Sequence, residues 1–110
     1  MQSPSHPTVD EALASTTGVP PGDVEVAYRE LKQLDARMRS YRAGSVELHL
    51  SVKDLDTRQQ KTTLIARIID HPDLVATSHR SGLRQAIIEV RDDMIRLMTD
   101  SLSKREPGKA

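Results

Sequence analysis

Three basic side chains share one side of a predicted helix and could bind phosphate. Arg29, Lys32 and Arg39 follow a spacing of three, four and three through Ala36, so they line up along one helix face. Cations on a rigid helix attract the phosphates of a nucleic acid whatever its base sequence. An ordinary solvated helix face carries similar charges, and the charge pattern alone leaves both interpretations open.

A second predicted helix, nearer the carboxyl terminus, carries basic and apolar residues alternating along one flank. The flank consists of Arg84, Ile88, Arg91, Ile95 and Leu102. Such a flank fits packing against the first helix, because two helices that cover one sheet must touch each other. It also fits a surface that binds a partner. The pattern is compatible with both.

The sequence contains no signature of a catalytic or metal centre. His6, His49, His71 and His79 lack the spacing of metal ligands, and cysteine is absent. Phosphate-binding loops, dinucleotide-binding glycine motifs and nucleophile elbows are absent too. The only aromatic residues are two tyrosines, too few for a platform that stacks nucleic-acid bases. We therefore expect a non-enzymatic protein with no cofactor, no metal and no small-molecule substrate.

Size and charge predict one domain in the cytoplasm. The 110 residues suffice for a single core, and we expect a domain over residues 8–105 between disordered tails at 1–7 and 106–110. No apolar run could span a bilayer, and no signal peptide is evident. Sixteen basic and sixteen acidic residues cancel overall. Residues 28–42, however, hold five basic side chains against two acidic ones.

The elements that would position these cations are built around a three-strand meander. Apolar and polar residues alternate in SVELHLSV and KTTLIARIID, and a short LVATS run follows, which is typical of half-buried strands. The inward positions are Val46, Leu48, Leu50 and Val52 in the first strand and Thr62, Leu64, Ala66 and Ile68 in the second. TVDEALAST is predicted as a short additional strand before them, although its ALA centre suits a helix as well.

Two helices are predicted to cover the apolar face of this sheet. The first begins near Pro21 to Asp23 and stops at Gly44; its apolar stripe is Val24, Ala27, Leu31, Leu34 and Met38. The second runs from an N-cap at Ser81 to about Ser103; its stripe is Leu83, Ile87, Val90, Met94, Leu97 and Ser101.

With this order of elements, the sequence resembles a bacterial protein family. The resemblance is carried by the segments SVELHLSVKDLDT, QQKTTLIARI, DLVATSHR and LRQAIIEVRDDMIRLM. It is that of the ribosome hibernation promoting factors, also called sigma-54 modulation proteins or ribosome-associated inhibitors. The resemblance covers roughly residues 8 to 105 and is closest to the short form of the family. It implies an α+β fold, β-α-β-β-β-α, with two helices packed on one face of a mainly antiparallel four-stranded sheet.

The resemblance also implies a partner and a site. Members of this family bind the small ribosomal subunit in its decoding channel, where messenger and transfer RNA bind, and so hold ribosomes inactive under stress. Basic residues of the two helices face ribosomal RNA, which by helix face falls on Arg29, Lys32, Arg39, Arg84 and Arg91.

Two alternatives remain from the sequence. Helix, three strands, helix is also the order of a double-stranded-RNA-binding domain, although such domains carry a lysine cluster where this chain has SHRSGLRQ. A protein-interaction module would instead use the Ile88, Ile95 and Leu102 flank together with outward Ile65 and Ile69.

Overall fold

A four-stranded sheet covered by helices on one face forms the protein. The structure, a computed structural model, describes residues 6–104, with side chains described as far as Ser101. The elements are helix α1 Val9–Ala12, strand β1 Leu13–Thr17, a 3₁₀ turn Pro21–Asp23, helices α2 Val24–Leu31 and α3 Leu34–Met38, strands β2 Val46–Lys53, β3 Lys61–Ile68 and β4 Leu74–Ser78, and helix α4 Leu83–Lys104. Among the described helices, none combines the length and apolar composition needed to cross a bilayer.

The sheet has the strand order β1-β2-β3-β4. Strand β1 runs parallel to β2, and the other two pairs are antiparallel. This arrangement confirms the predicted α+β class and the mainly antiparallel sheet. The predicted inward residues of β2 and β3 are buried, and Leu48, Leu50, Leu64 and Ala66 are fully enclosed. The period-2 pattern was sufficient here because one face of the sheet meets the helices and the other meets solvent.

The first strand is shorter than the sequence predicts. Residues Val9–Ala12 form one helical turn, and the strand begins only at Leu13. Val9 and Ala12 are both buried, a spacing of three that fits a helical turn and not a strand. The backbone N–H of Val9 donates a 2.7 Å hydrogen bond to Oδ1 of Asp35, which ties the turn to α3.

The first predicted helix is divided and ends early. A bond from Asp35 N to Lys32 O closes a tighter turn between α2 and α3, and the helix ends at Met38 instead of near Gly44. The predicted apolar stripe is nevertheless correct. Ala27, Leu31, Leu34 and Met38 are fully buried and Val24 is partly buried.

Helix α4 buries a slightly different stripe from the predicted one. Ile87, Val90, Met94 and Met98 are fully enclosed, whereas Leu97 is only half-buried. The buried positions are three, four and four residues apart, which keeps them on one face of a 3.6-residue helix. The first helical bond runs from Ala86 N to the carbonyl oxygen of Gly82, so Gly82 and not Ser81 stands at the cap position.

Parts of two predictions lie outside the described residues. Of the predicted tails, residues 1–5 and 106–110 are not described, while Pro7 is buried. The side chain of Leu102, predicted on the flank of the last helix, is likewise outside the described part.

Candidate nucleic-acid interface

The outer side of α2 and α3 carries the three cations predicted from helical spacing. Arg29, Lys32 and Arg39 are all exposed, because the opposite side of the same helices forms the core. The guanidinium of Arg29 lies 3.9 Å from Glu25, and Nζ of Lys32 lies 3.5 Å from Asp10. Solvent-exposed ion pairs of this length are worth little, so a phosphate can replace the carboxylate.

Two further cations of this segment are exposed as well and were not assigned by helical spacing. Arg37 and Arg42 are exposed, and together with Arg39 they form no ion pair within the described part of the chain. The excess of basic residues between positions 28 and 42 was the signal that pointed to them. We call the exposed side of α2, α3 and the following turn the cation face; it comprises Arg29, Lys32, Arg37, Arg39 and Arg42.

The two acids of this segment point away from the cation face. Glu30 lies between α2 and α4 with its side chain only 12% exposed. Asp35 is half-buried and accepts the N–H of Val9. The five cations therefore meet solvent without the two acids that neutralise part of their charge in the sequence. Glu25 and Asp10 do reach this surface, as exposed partners of Arg29 and Lys32, so its unpaired charge is that of Arg37, Arg39 and Arg42.

The two cations predicted on the second helix both pair with Glu30, and only Arg91 is drawn into the protein. The side chain of Arg91 is only 10% exposed. Its Nη1 lies 3.2 Å from Oε1 of Glu30 and 3.3 Å from the carbonyl oxygen of Glu30. Its Nη2 lies 2.8 Å from Oδ1 of Asp92. Nε of Arg84 donates to Oε2 of Glu30 at 2.8 Å. We call this three-residue cluster, Arg84–Glu30–Arg91, the helix brace.

The helix brace shows what the mixed flank of α4 does in the folded chain. It packs against α2, and Ile95 packs on the core. Of the five predicted site residues, the structure thus places three on the cation face and two in the brace. Arg84 keeps 64% of its side chain exposed, whereas Arg91 is enclosed. RNA contact by any of the five stays a prediction.

Comparisons with known proteins rest on structure. No family model matches the sequence, and no curated protein matches it. A ribosomal subunit interface protein from Coxiella burnetii superposes with a TM-score of 0.55 at 9% identity, covering 83% of this chain and 97% of that chain. The N-terminal domain of Thermus thermophilus Protein Y gives 0.54 at 12% identity, covering 81% and 93%. This chain has the fold of the ribosomal subunit interface proteins.

The ribosomal interface fold agrees with the family resemblance of the sequence segments. At 9 and 12% identity the likeness concerns the fold alone. It nevertheless includes almost the full length of both neighbours.

On the opposite, open face of the interface fold, a hydrogen-bonded chain joins β1 to β2. Nδ1 of His49 lies 3.0 Å from the hydroxyl of Ser15, and its Nε2 lies 2.9 Å from Oε1 of Glu47. Because a carboxylate oxygen can only accept, Nε2 is the donor to Glu47. His49 thus lies on the outward side of β2, between the buried residues Leu48 and Leu50. Within the described residues, no group of three or more His, Asp or Glu side chains could hold a metal ion.

A buried glutamine, which sequence patterns did not single out, holds the β2–β3 loop of the interface fold. Gln60 is only 1% exposed. Its Oε1 accepts the N–H of Asp56 at 2.8 Å, and its Nε2 donates to the carbonyl oxygen of Arg80 at 3.0 Å. These two bonds fix the loop against the segment that leads into α4.

The start of α4 is joined to the end of β4 by a carboxylate. Glu89 accepts the hydroxyl of Ser78 at 2.6 Å and Nε of Arg80 at 3.3 Å. The hydrogen bond from Ser78, followed by that from Arg80, holds the pKa of Glu89 below its ordinary value of 4.5. Both donors favour the ionised form of the side chain.

This shift predicts a loss of stability in acid that depends on Glu89. A carboxyl group with a lower pKa in the folded state stabilises the fold above pH 4.5, and that contribution disappears as the pH falls through the folded pKa. We expect Glu89→Gln to lower the melting temperature near pH 7 and to approach the wild type as the pH falls from 4.5 through the lowered folded-state pKa. Thermal melts between neutral and acidic pH measure both. Ser78→Ala removes the principal donor and should reduce the same pH dependence; a parallel profile in both variants and wild type contradicts the assignment.

Proposed function

We propose that this protein docks on the small ribosomal subunit through its cation face and holds the ribosome inactive under stress without catalysing a reaction. The observation that most supports this proposal is the cation face. It presents five exposed basic side chains on α2, α3 and the turn after them, while Glu30 and Asp35 of the same segment are turned inward. Support also comes from the fold, which two proteins named for the ribosomal subunit interface or as Protein Y share.

Phosphates of ribosomal RNA are the ligands that this surface suits. Arginine and lysine neutralise phosphates and release their counterions, which makes binding salt-dependent and indifferent to base sequence. Specificity would come from shape, since folded RNA is recognised largely through its backbone and grooves. Occupation of the decoding channel would then exclude messenger and transfer RNA by sterics alone.

The helix brace has a supporting role in this proposal. Arg91 is a positioning residue, because it fixes α2 on α4 and so fixes the direction in which the cation face points. Arg84 lies at the exposed end of the brace, where a phosphate can share its guanidinium with Glu30. The second helix would therefore add at most one direct cation to the contact.

Binding should weaken when the cation face loses charge. We expect the triple variant Arg29→Ala, Lys32→Ala, Arg39→Ala to bind small subunits at least about tenfold more weakly, and the slope of log affinity against log salt to fall by about two to three. Co-sedimentation through sucrose gradients at several salt concentrations, followed by quantification of the bound fraction, measures both quantities.

The β2–β3 hairpin offers a control with the same change in charge. Lys53, Arg58 and Lys61 are exposed and form no ion pair in the described part of the chain. Replacing all three with alanine should leave affinity within about twofold of the wild type if binding is local to the cation face. Equal losses of affinity in the two triple variants would indicate general attraction to a polyanion. Unchanged binding of the cation-face variant would show that the cation face is not the binding site.

A further inference from the structure

The last strand of the sheet, β4, has an unused edge. It pairs with β3 along residues Leu74 to Ser78, and the described residues supply no backbone partner for its other side. Its outward N–H and C=O groups are therefore satisfied by water or by another chain. An open edge of this kind is a template for strand addition.

Strand β4 lacks the features that usually protect an edge. Its sequence, LVATS, contains no charged residue and no proline, and its register with β3 is regular over all five pairs. The other edge strand, β1, is interrupted by a register shift between Leu13 and Ser15. Val75 is moreover 52% exposed on the open face, directly across from Ile65.

The edge of β4 is complementary to itself. In an antiparallel pairing with a two-fold axis at Ala76, Val75 of one copy lies opposite Thr77 of the other, and the β-branched row from Ile65 continues across the junction. The charges at the two ends also match. Asp73 of one copy lies opposite His79 of the other, next to Arg80. Within one copy, Asp73 makes only an exposed 3.7 Å contact with Arg67.

The helix layer allows two copies to approach. Helix α4 packs on both β3 and β4. Because α4 lies over β3 and β4, continuing the sheet through β4 would place the two α4 helices about two strand spacings apart, roughly 10 Å, which is an ordinary distance between packed helices. A five-residue strand pair buries too little for a specific interface, which needs roughly 1,000 Å², so contact between the α4 helices has to supply part of the area.

From these observations we infer that two copies of this chain pair through β4 into a symmetric dimer with one continuous sheet. The inference does not rest on the proposed function, since the cation face belongs to α2 and α3 and β4 lies at the sheet edge opposite β1. A dimer of this form would carry two cation faces. Failure to bind ribosomes and failure to dimerise are separate results.

Sedimentation velocity over a wide range of protein concentration tests the dimer. We expect the apparent mass to rise from 12.2 kDa towards twice that value. Val75→Lys should raise the dissociation constant at least about tenfold, because it places an ammonium in the row that crosses the junction. Ile69→Lys is the matched control: Ile69 is 63% exposed but lies outside β4, so the same change there should leave dimerisation intact.

A charge exchange tests the register. His79→Asp should weaken the dimer, because it places two acidic side chains across each end of the pairing. Adding Asp73→Lys in the same chain should restore it, because opposite charges then face each other again. Restoration supports the axis at Ala76, and a double variant weaker than the single one overturns it.

Hydrogen exchange on the unmodified protein gives a readout that needs no variant. Amides of β4 should exchange more slowly at high than at low protein concentration, while those of the β2–β3 loop should not change. A chain that remains monomeric up to about 1 mM, where even a weak association of about 4 kcal/mol is visible, overturns the inference. A dimer weakened equally by Val75→Lys and Ile69→Lys also overturns it.

Discussion

Gly18→Ala is expected to lower the free energy of unfolding by about 3 to 5 kcal/mol. Gly18 has φ of +80°, a left-handed conformation that costs an L-residue about 1 to 2 kcal/mol. A Cβ atom at this position would also overlap the carbonyl oxygen of Val52, which belongs to β2. A backbone oxygen cannot rotate away as a flexible side chain can, so the chain must move where β1 leads into the 3₁₀ turn.

Two other glycines separate the effect of contact from that of backbone conformation. Gly44 has the same φ of +80°, but a Cβ there would meet no atom within 4 Å, so Gly44→Ala should cost only about 1 to 2 kcal/mol. Gly22 has open space and no positive φ, and alanine there should change stability by less than about 0.5 kcal/mol. Urea denaturation gives the three values. Equal costs for Gly18→Ala and Gly44→Ala would show that the close approach to β2 contributes nothing.

Removing the enclosed arginine of the helix brace should be almost as damaging. We expect Arg91→Met to destabilise the fold by about 2 to 3 kcal/mol, because Oε1 and the carbonyl oxygen of Glu30 lose their donor in a site where only 12% of the Glu30 side chain reaches solvent, while Arg84 still holds Oε2. Methionine preserves most of the apolar volume, so the loss reports the missing hydrogen bonds to Glu30 and not a cavity. Urea denaturation measures the change.

The surface arginine Arg96 is the control for this substitution. It is 72% exposed and pairs with Asp93 one helical turn away, so Arg96→Met should cost less than about 1 kcal/mol. The double variant Glu30→Gln, Arg91→Met should recover part of the loss, which a double-mutant cycle would report as coupling of at least about 1 kcal/mol. Additive effects of the two substitutions would contradict an energetically coupled brace.

The brace and the cation face together explain how a chain of zero net charge can present a basic surface. The sequence places Glu30 and Asp35 among the five cations of residues 28 to 42 and so predicts a mixed helix. In the fold, Glu30 neutralises cations of α4, and Asp35 caps the entry to α1. Net charge is therefore a poor guide to the surface here, because folding turns Glu30 and Asp35 inward while the five cations stay exposed, two of them beside Glu25 and Asp10.

Periodicity determined most of the fold. The alternation of SVELHLSV and KTTLIARIID fixed which side of each strand is buried, since a one-residue shift would have exposed the apolar set. The three-four spacing of Ala27, Leu31, Leu34 and Met38 likewise fixed the buried side of α2 and α3. Where local signals competed, the sequence was less informative: TVDEALAST fits strand and helix alike, and packing of Val9 against the core decided for a helical turn.

For the candidate site, too, residue type and spacing could be read from the sequence, whereas burial and pairing could not. The sequence by itself determined that the chain has cations at helical spacing and no catalytic signature, because both are properties of residue type and order. Only the tertiary structure decided which cations face solvent. Arg91 lies 61 positions from Glu30 along the chain, and no local pattern reveals that α4 brings the two within 3.2 Å. Burial and pairing depend on such long-range contacts, which is why Arg29, Lys32 and Arg39 form a surface while Arg91 holds two helices together.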